Sequence, residues 1–113
     1  MENLGAILER KLSVLFPDAA EREAVQAELD RYGTESYEQG VDRVRLAVIR
    51  LAGGSLEEVR RQVDIAKRDF RDTLAMAEYP AQLVAPTWRM PPEEVQRLVQ
   101  QDFEQYRRWL EED

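Results

Sequence analysis

The stretch Gly53-Gly54-Ser55-Leu56-Glu57-Glu58-Val59-Arg60-Arg61-Gln62-Val63-Asp64-Ile65-Ala66 holds a helix stop, a turn and a helix start in one short run. Two adjacent glycines end the preceding helix, because glycine alone enters the left-handed region without a Cβ penalty. Ser55 and Glu58 stand three residues apart, the spacing of a capping box in which each side chain satisfies a backbone N–H at the helix start. Leu56, Val59, Val63, Ala66, Phe70, Leu74 and Ala77 then recur at steps of three or four. That spacing predicts one amphipathic helix, which Tyr79-Pro80 ends.

Immediately upstream, Val41, Val44, Val48, Leu51 and Ala52 line one helical face, and Leu46, Ala47 and Ile49 widen it. The pattern predicts a helix over about Tyr37–Ala52, capped by Thr34 or Ser36. So broad an apolar arc predicts a central helix touched from several sides. The tight Gly53-Gly54 turn makes the two helices an antiparallel hairpin over about 37–78.

Further out, Leu4, Ile7, Leu8, Leu12 and Leu15 predict a first helix from Glu2 to Phe16, ended by Pro17. Asp18 and Glu21 form another capping box, which predicts a second helix over Ala19–Tyr32 with Gly33 as its C-terminal cap. Residues 80–91 are rich in proline and carry Trp88 and Met90 with few charges, an ordered loop. Pro91-Pro92 opens a last helix, about 92–111, whose apolar face is Val95, Leu98, Val99, Phe103, Tyr106, Trp109 and Leu110. No segment alternates as a strand does. The expected fold is all-α, a compact bundle of four or five helices around a central antiparallel hairpin, as a single domain over 1–113.

Of 113 residues, 43% are hydrophobic and 35% charged, which suits amphipathic helices with solvated outer faces. Cysteine and histidine are both absent. Their absence excludes disulfides, thiolate chemistry and any Ser-His-Asp or Cys-His site within the chain. It also removes the usual general base near neutral pH and the commonest transition-metal ligand. The acidic start and the lack of a long apolar run argue against a signal peptide or a membrane span, so the expected location is cytoplasmic.

The net charge of −7 is unevenly spread: −5 over 1–40, +2 over 41–72 and −4 over 73–113. Acidic ends repel phosphate backbones, which argues against nucleic acid as a partner.

Tyr32-Gly33-Thr34-Glu35, Arg43-Val44-Arg45-Leu46-Ala47, Gly53-Gly54-Ser55-Leu56 and Ala66-Lys67-Arg68-Asp69-Phe70-Arg71-Asp72 resemble a group of short hypothetical bacterial proteins. The resemblance covers roughly the central 50 residues. It implies a bacterial, cytosolic, helical protein, and it implies no activity and no functional residues.

Several groups are candidates for chemistry. Arg60, Asp64, Arg68 and Asp72 follow one another at steps of four, and Glu57–Arg61 adds a pair. This reads as a solvated face laced with weak ion pairs. Its functional alternative is a docking edge for an anionic partner made by Arg60, Lys67, Arg68 and Arg71. Gly53-Gly54-Ser55 at a helix start could cradle a phosphate, but Glu57 and Glu58 would repel it and no Walker-type lysine follows. Asp102 and Arg45 each fall inside an apolar arc. A lone buried charge is costly. The expectation is therefore that Asp102 accepts from Arg45, from the Trp88 indole or from a tyrosine, as a packing device or as a polar pair in a cleft.

The acid clusters Glu57-Glu58 and Glu93-Glu94 are followed by Arg or Gln, which does not suit a Mg²⁺ site. No catalytic, cofactor-binding or metal-ligating residue is assigned. Trp88 and Met90, with Trp109 and Leu110, form an exposed interaction patch unless the loop folds back to close the bundle over Trp88.

The expected function is non-enzymatic: a protein–protein interaction or structural module with an unidentified protein partner or a second copy. The alternative is a small-ligand or Mg²⁺-dependent enzyme that uses only acids and arginines and needs Arg45 and Asp102 in one polar cleft.

Overall fold

The computed structural model describes residues 3–112. It builds them from α1 (Leu4–Leu15), α2 (Ala19–Leu29), α3 (Val41–Ala52), α4 (Leu56–Arg68), α5 (Phe70–Glu78), α6 (Pro80–Val84) and α7 (Pro92–Glu111), with a 3₁₀ turn at Thr87–Arg89. The described residues contain no strand. The all-helical expectation holds, but seven α-helices stand where four or five were expected.

The capping signals act as the sequence predicts. Ser55 Oγ accepts from the Glu58 N–H at 3.1 Å, and Asp18 accepts from the Glu21 N–H at 2.9 Å. Asn3 accepts from the Ala6 N–H at 2.8 Å and opens α1 at Leu4. The Glu2 start expected for this helix lies outside the described residues. Gly53 ends α3 with φ 64°, a left-handed conformation that only glycine adopts freely.

α2 ends at Leu29 with Asp30 as its cap, not at Tyr32 before Gly33, and two further helix boundaries depart from expectation. The long helix after Ser55 breaks at Asp69, whose backbone is extended (φ −159°, ψ 101°). Asp69 ends α4 through its own N–H to the Ile65 carbonyl and starts α5 by accepting from the Arg71 N–H, both at 3.0 Å. A short acidic side chain offers the backbone this alternative to a helical bond. The apolar stripe hides the break, because Leu74 and Ala77 are buried on the far side of it.

The second departure is α3, which starts at Val41 instead of Tyr37. Gly40 stands before it in the left-handed region (φ 58°, ψ 47°), and Tyr37 is 63% exposed. Neither Thr34 nor Ser36 caps α3. Instead the turn after α2 closes on Glu38, which accepts from the N–H groups of Gly33, Thr34 and Glu35 at 2.9–3.1 Å. Gly33 has φ 108°, and a Cβ there would lie 3.0 Å from Val41 Cγ2.

The core is centred on α3, which buries Val44, Leu46, Ala47, Val48 and Ile49 and packs against α1, α4 and α5. Phe16 of the α1 end, Val25, Leu29 and Tyr32 after α2, and Val59 and Val63 of α4 complete it with no more than 1% exposure each.

α7 joins this body mainly near its C-terminal end. Trp109 is buried there between cations, with Lys11 Nζ 4.7 Å and the Arg50 guanidinium carbon 5.5 Å from ring centroids. Lys11 donates to the Glu112 carbonyl at 2.8 Å and Arg10 to the Leu110 carbonyl at 2.6 Å. These are the last carbonyls of a helix, which have no intrahelical donor and form the negative end of the dipole. α6 and α5 also pack against α7, and the molecule measures 49 × 30 × 24 Å. No described helix is long and apolar enough to cross a membrane.

Candidate docking groove

Asp102 and Arg45 are not brought together. Asp102 is 2% exposed, and its carboxylate accepts from the Ala81 N–H on Oδ1 and from the Gln82 N–H and Gln82 Nε2 on Oδ2, each at 3.0 Å. It thus caps the start of α6 from across the groove wall, where donors freed at a helix N-terminus need acceptors. Arg45 donates to the Tyr32 carbonyl at 2.8 Å and lies 3.7 Å from Asp30. The expected partners of Asp102 are therefore replaced by a backbone cap. The sequence offered no sign of this, because α6 is a five-residue helix hidden in a proline-rich loop.

The basic candidates are neutralised locally. Arg60 holds Glu28 at 3.0 Å, Lys67 holds Glu38 at 2.8 Å and Arg71 holds Asp69 at 3.0 Å. Arg31 ties Glu28 and Asp64 at 2.8 and 2.5 Å, linking α2 to α4. A docking edge for anions needs uncommitted cations, and three of its four members are committed.

Trp88 is 82% exposed, and the Arg89 guanidinium stands 5.1 Å from its ring. The loop does not fold back over it, and α6 packs along α7. Met90 is half-buried. Replacing Trp88 with Phe is expected to leave stability within about 0.5 kcal/mol, as for exposed positions generally. It should also blue-shift the tryptophan emission, since the remaining Trp109 is buried. An unshifted spectrum that acrylamide quenches as before would show Trp88 to be covered.

The large concavity is elsewhere, a groove of about 870 Å³ between α1, α6 and α7. Leu4 and Ile7 form one wall, Tyr79 one end, and Val99, Phe103 and Leu110 the other wall. Leu4 is 40% exposed, Tyr79 38%, Val99 36% and Phe103 61%. Of these, Leu4 was read in advance in the apolar stripe of the first helix, and Val99 and Phe103 in the apolar face of the last. Leu4 and Tyr79 depend on how α1 and α6 come to sit against α7.

The groove's polar groups are largely engaged. Glu78 is held by Arg43 at 2.6 and 2.8 Å, and Arg107 lies 3.5 Å from Glu111. Both Asp102 oxygens already accept hydrogen bonds. The Tyr106 hydroxyl is buried without a partner. Burial first, then the Glu78 charge, pushes its phenol well above the ordinary value, so it stays protonated and can only donate or accept a hydrogen bond. Glu78, Asp102 and Glu111 of the groove are each engaged, and Leu4, Ile7, Val99, Phe103 and Leu110 make much of its lining apolar. Among the described residues no cluster of three or more acids converges on a point that could hold a metal ion.

Comparison with protein-family models, with curated proteins and with solved structures gives no match to this chain.

Proposed function

We propose that this chain is a non-enzymatic helical module that works by protein–protein contact through the groove between α1, α6 and α7. The observation that carries the reading is the exposed apolar rim of Leu4, Tyr79, Val99 and Phe103 around a concavity whose Glu78, Asp102 and Arg107 are already engaged, the Tyr106 hydroxyl being buried without a partner. Contiguous exposed apolar surface of this kind marks interaction sites. In this reading α3 and α4 form an antiparallel hairpin that serves as the rigid frame, with α1 and α7 laid on it as the walls. The bacterial, cytosolic setting follows from the resemblance carried by residues 32–80. Arg45 and Asp102 serve separate partners, which supports this reading over an acid-and-arginine enzyme built on a shared Arg45–Asp102 cleft.

The test is photo-crosslinking in bacterial cells with p-benzoylphenylalanine in place of Phe103. A covalent protein adduct is expected at that position and should disappear when Leu4 is also changed to Glu. The same probe at Tyr37, exposed but outside the groove, is the control. Equal labelling at both positions, or none at Phe103, would overturn the reading.

A further inference from the structure

From Glu78 to Gln101 no residue is buried. This stretch holds α6, the 3₁₀ turn and the first half of α7, and buried residues bracket it, Ala77 on one side and Asp102 on the other. Its large apolar side chains Leu83, Val84 and Trp88 stand exposed. Burial of apolar surface is the dominant favourable term in folding, so a segment that buries no side chain fully depends more on its polar contacts.

Those contacts converge on one group. Among the described residues, the three hydrogen bonds that tie α6 to another helix all end on the Asp102 carboxylate. The backbone bonds of the segment close locally, Leu83 to Tyr79, Ala85 to Ala81 and Met90 to Thr87. The other end of α7 is fixed separately, by buried Trp109 and by Arg10 and Lys11 on the Leu110 and Glu112 carbonyls. α7 is therefore anchored from Asp102 to its C-terminal end. Residues 92–101 are the short helical stretch ahead of that anchor, and isolated helices under about 12–15 residues are marginal in water.

We infer that residues 79–101 form a hinged arm, latched by the Asp102 carboxylate, that opens as one unit while α1 to α5 and the end of α7 stay folded. Regions with few buried apolar contacts open at a free energy below that of global unfolding. Tyr79, where the backbone leaves helical geometry (φ −140°, ψ 57°), is the hinge on the α5 side. Tyr79, Gln82 and Val99 line the groove, so opening the arm unmakes part of its wall. The inference goes beyond the docking reading and is independent of what occupies the groove.

Native-state hydrogen exchange of the full chain in low urea, read by NMR, tests it. The amides of Ala81, Gln82, Ala85, Leu98 and Val99 are expected to exchange through one opening with a common equilibrium constant. Its urea dependence should be shallow, because the arm uncovers less surface than global unfolding does. Protection there should be at least about tenfold below that of Val44, Val48 and Ile49 in α3. Ile49→Val trims a fully buried side chain and should speed the α3 amides about fivefold, leaving the arm amides within about twofold of wild type. Asp102→Asn should speed the arm amides about tenfold.

Arm amides as protected as those of α3, or sped along with them by Ile49→Val, would show that the arm comes apart only with the whole domain and would overturn the inference. Amides of α6 and of the first half of α7 that exchange with unrelated constants would overturn it too, as independent fraying in place of one arm. Arm amides indifferent to Asp102→Asn would overturn the latch.

Discussion

Replacing Asp102 with alanine is expected to lower the unfolding free energy by about 3 kcal/mol, the cost of leaving buried donors without a charged acceptor. For a domain of this size that is a drop of about 12 °C in melting temperature. The size follows from geometry. One carboxylate, 2% exposed, takes two backbone N–H groups and a side-chain amide at 3.0 Å. Alanine removes all three acceptances and leaves a hollow beneath α6. Asparagine keeps one acceptor oxygen but turns an NH₂ toward a donor, so it should cost about 1–2 kcal/mol. Gln82→Ala deletes only the side-chain donor and should cost under about 1 kcal/mol.

The same experiment separates the cap from an ion pair with Arg45. The two residues have no common partner, so Asp102→Ala and Arg45→Met should add within about 0.5 kcal/mol. Thermal or urea unfolding of the four proteins measures the coupling. A coupling well above that value, or a loss under about 1 kcal/mol for Asp102→Ala, would refute the assignment. The variant should also loosen the groove, because Asp102 fixes the α6 start and with it Tyr79 at the groove end.

What could be read in the sequence was whatever repeats or caps locally. Ser55 with Glu58 and Asp18 with Glu21 formed as written, since a capping box uses residues three apart and needs nothing from the rest of the chain. The apolar arc of α3 was legible as a centre because burial on several sides leaves only a narrow exposed strip, Asp42, Arg43 and Arg50. The Asp69 break was not legible, because the stripe of Val63, Ala66, Leu74 and Ala77 continues across it and periodicity measures the stripe, not the backbone. The groove was half legible. Val99 and Phe103 signalled surplus apolar surface, but the opposite wall comes from Leu4 and Ile7, nearly a chain length away. Asp102 was correctly marked as a charge in an apolar arc. Its true partners are backbone N–H groups, and donors common to every residue leave no mark in a sequence.

The Glu38 turn shows the same limit and yields the second large effect. Glu38 has a fully buried carboxylate that accepts from three consecutive N–H groups of residues 33–35 and from Lys67 at 2.8 Å. Burial alone would push its carboxyl up. The Lys67 hydrogen bond and those from Gly33 and Glu35 outweigh burial and bring it down from 4.5 to about 2. A carboxyl depressed on folding stabilises the native state above its unfolded value, and that contribution drains away as pH falls from 4.5 toward 2.

The full shift corresponds to about 3 kcal/mol, and screening at the partly exposed Lys67 reduces it to about 2 kcal/mol. Glu38→Gln should therefore lose about 2 kcal/mol at pH 7, and the gap to wild type should close as pH approaches 2. Some acid sensitivity should remain in the variant, because Arg31 and Arg71 hold Glu28 and Asp69 below their ordinary values too. Lys67→Met removes one of the two causes and should cost less than Glu38→Gln. The double variant should lose less than the sum, as members of one network do. Chemical denaturation at pH 7, 4 and 3 reads all of this. A Glu38→Gln variant as stable as wild type at pH 7, with the same acid slope, would mean that the carboxylate does not hold the turn. The approach to α3 would then be set by Gly33 and Gly40 alone, the residues whose positive φ the turn already requires.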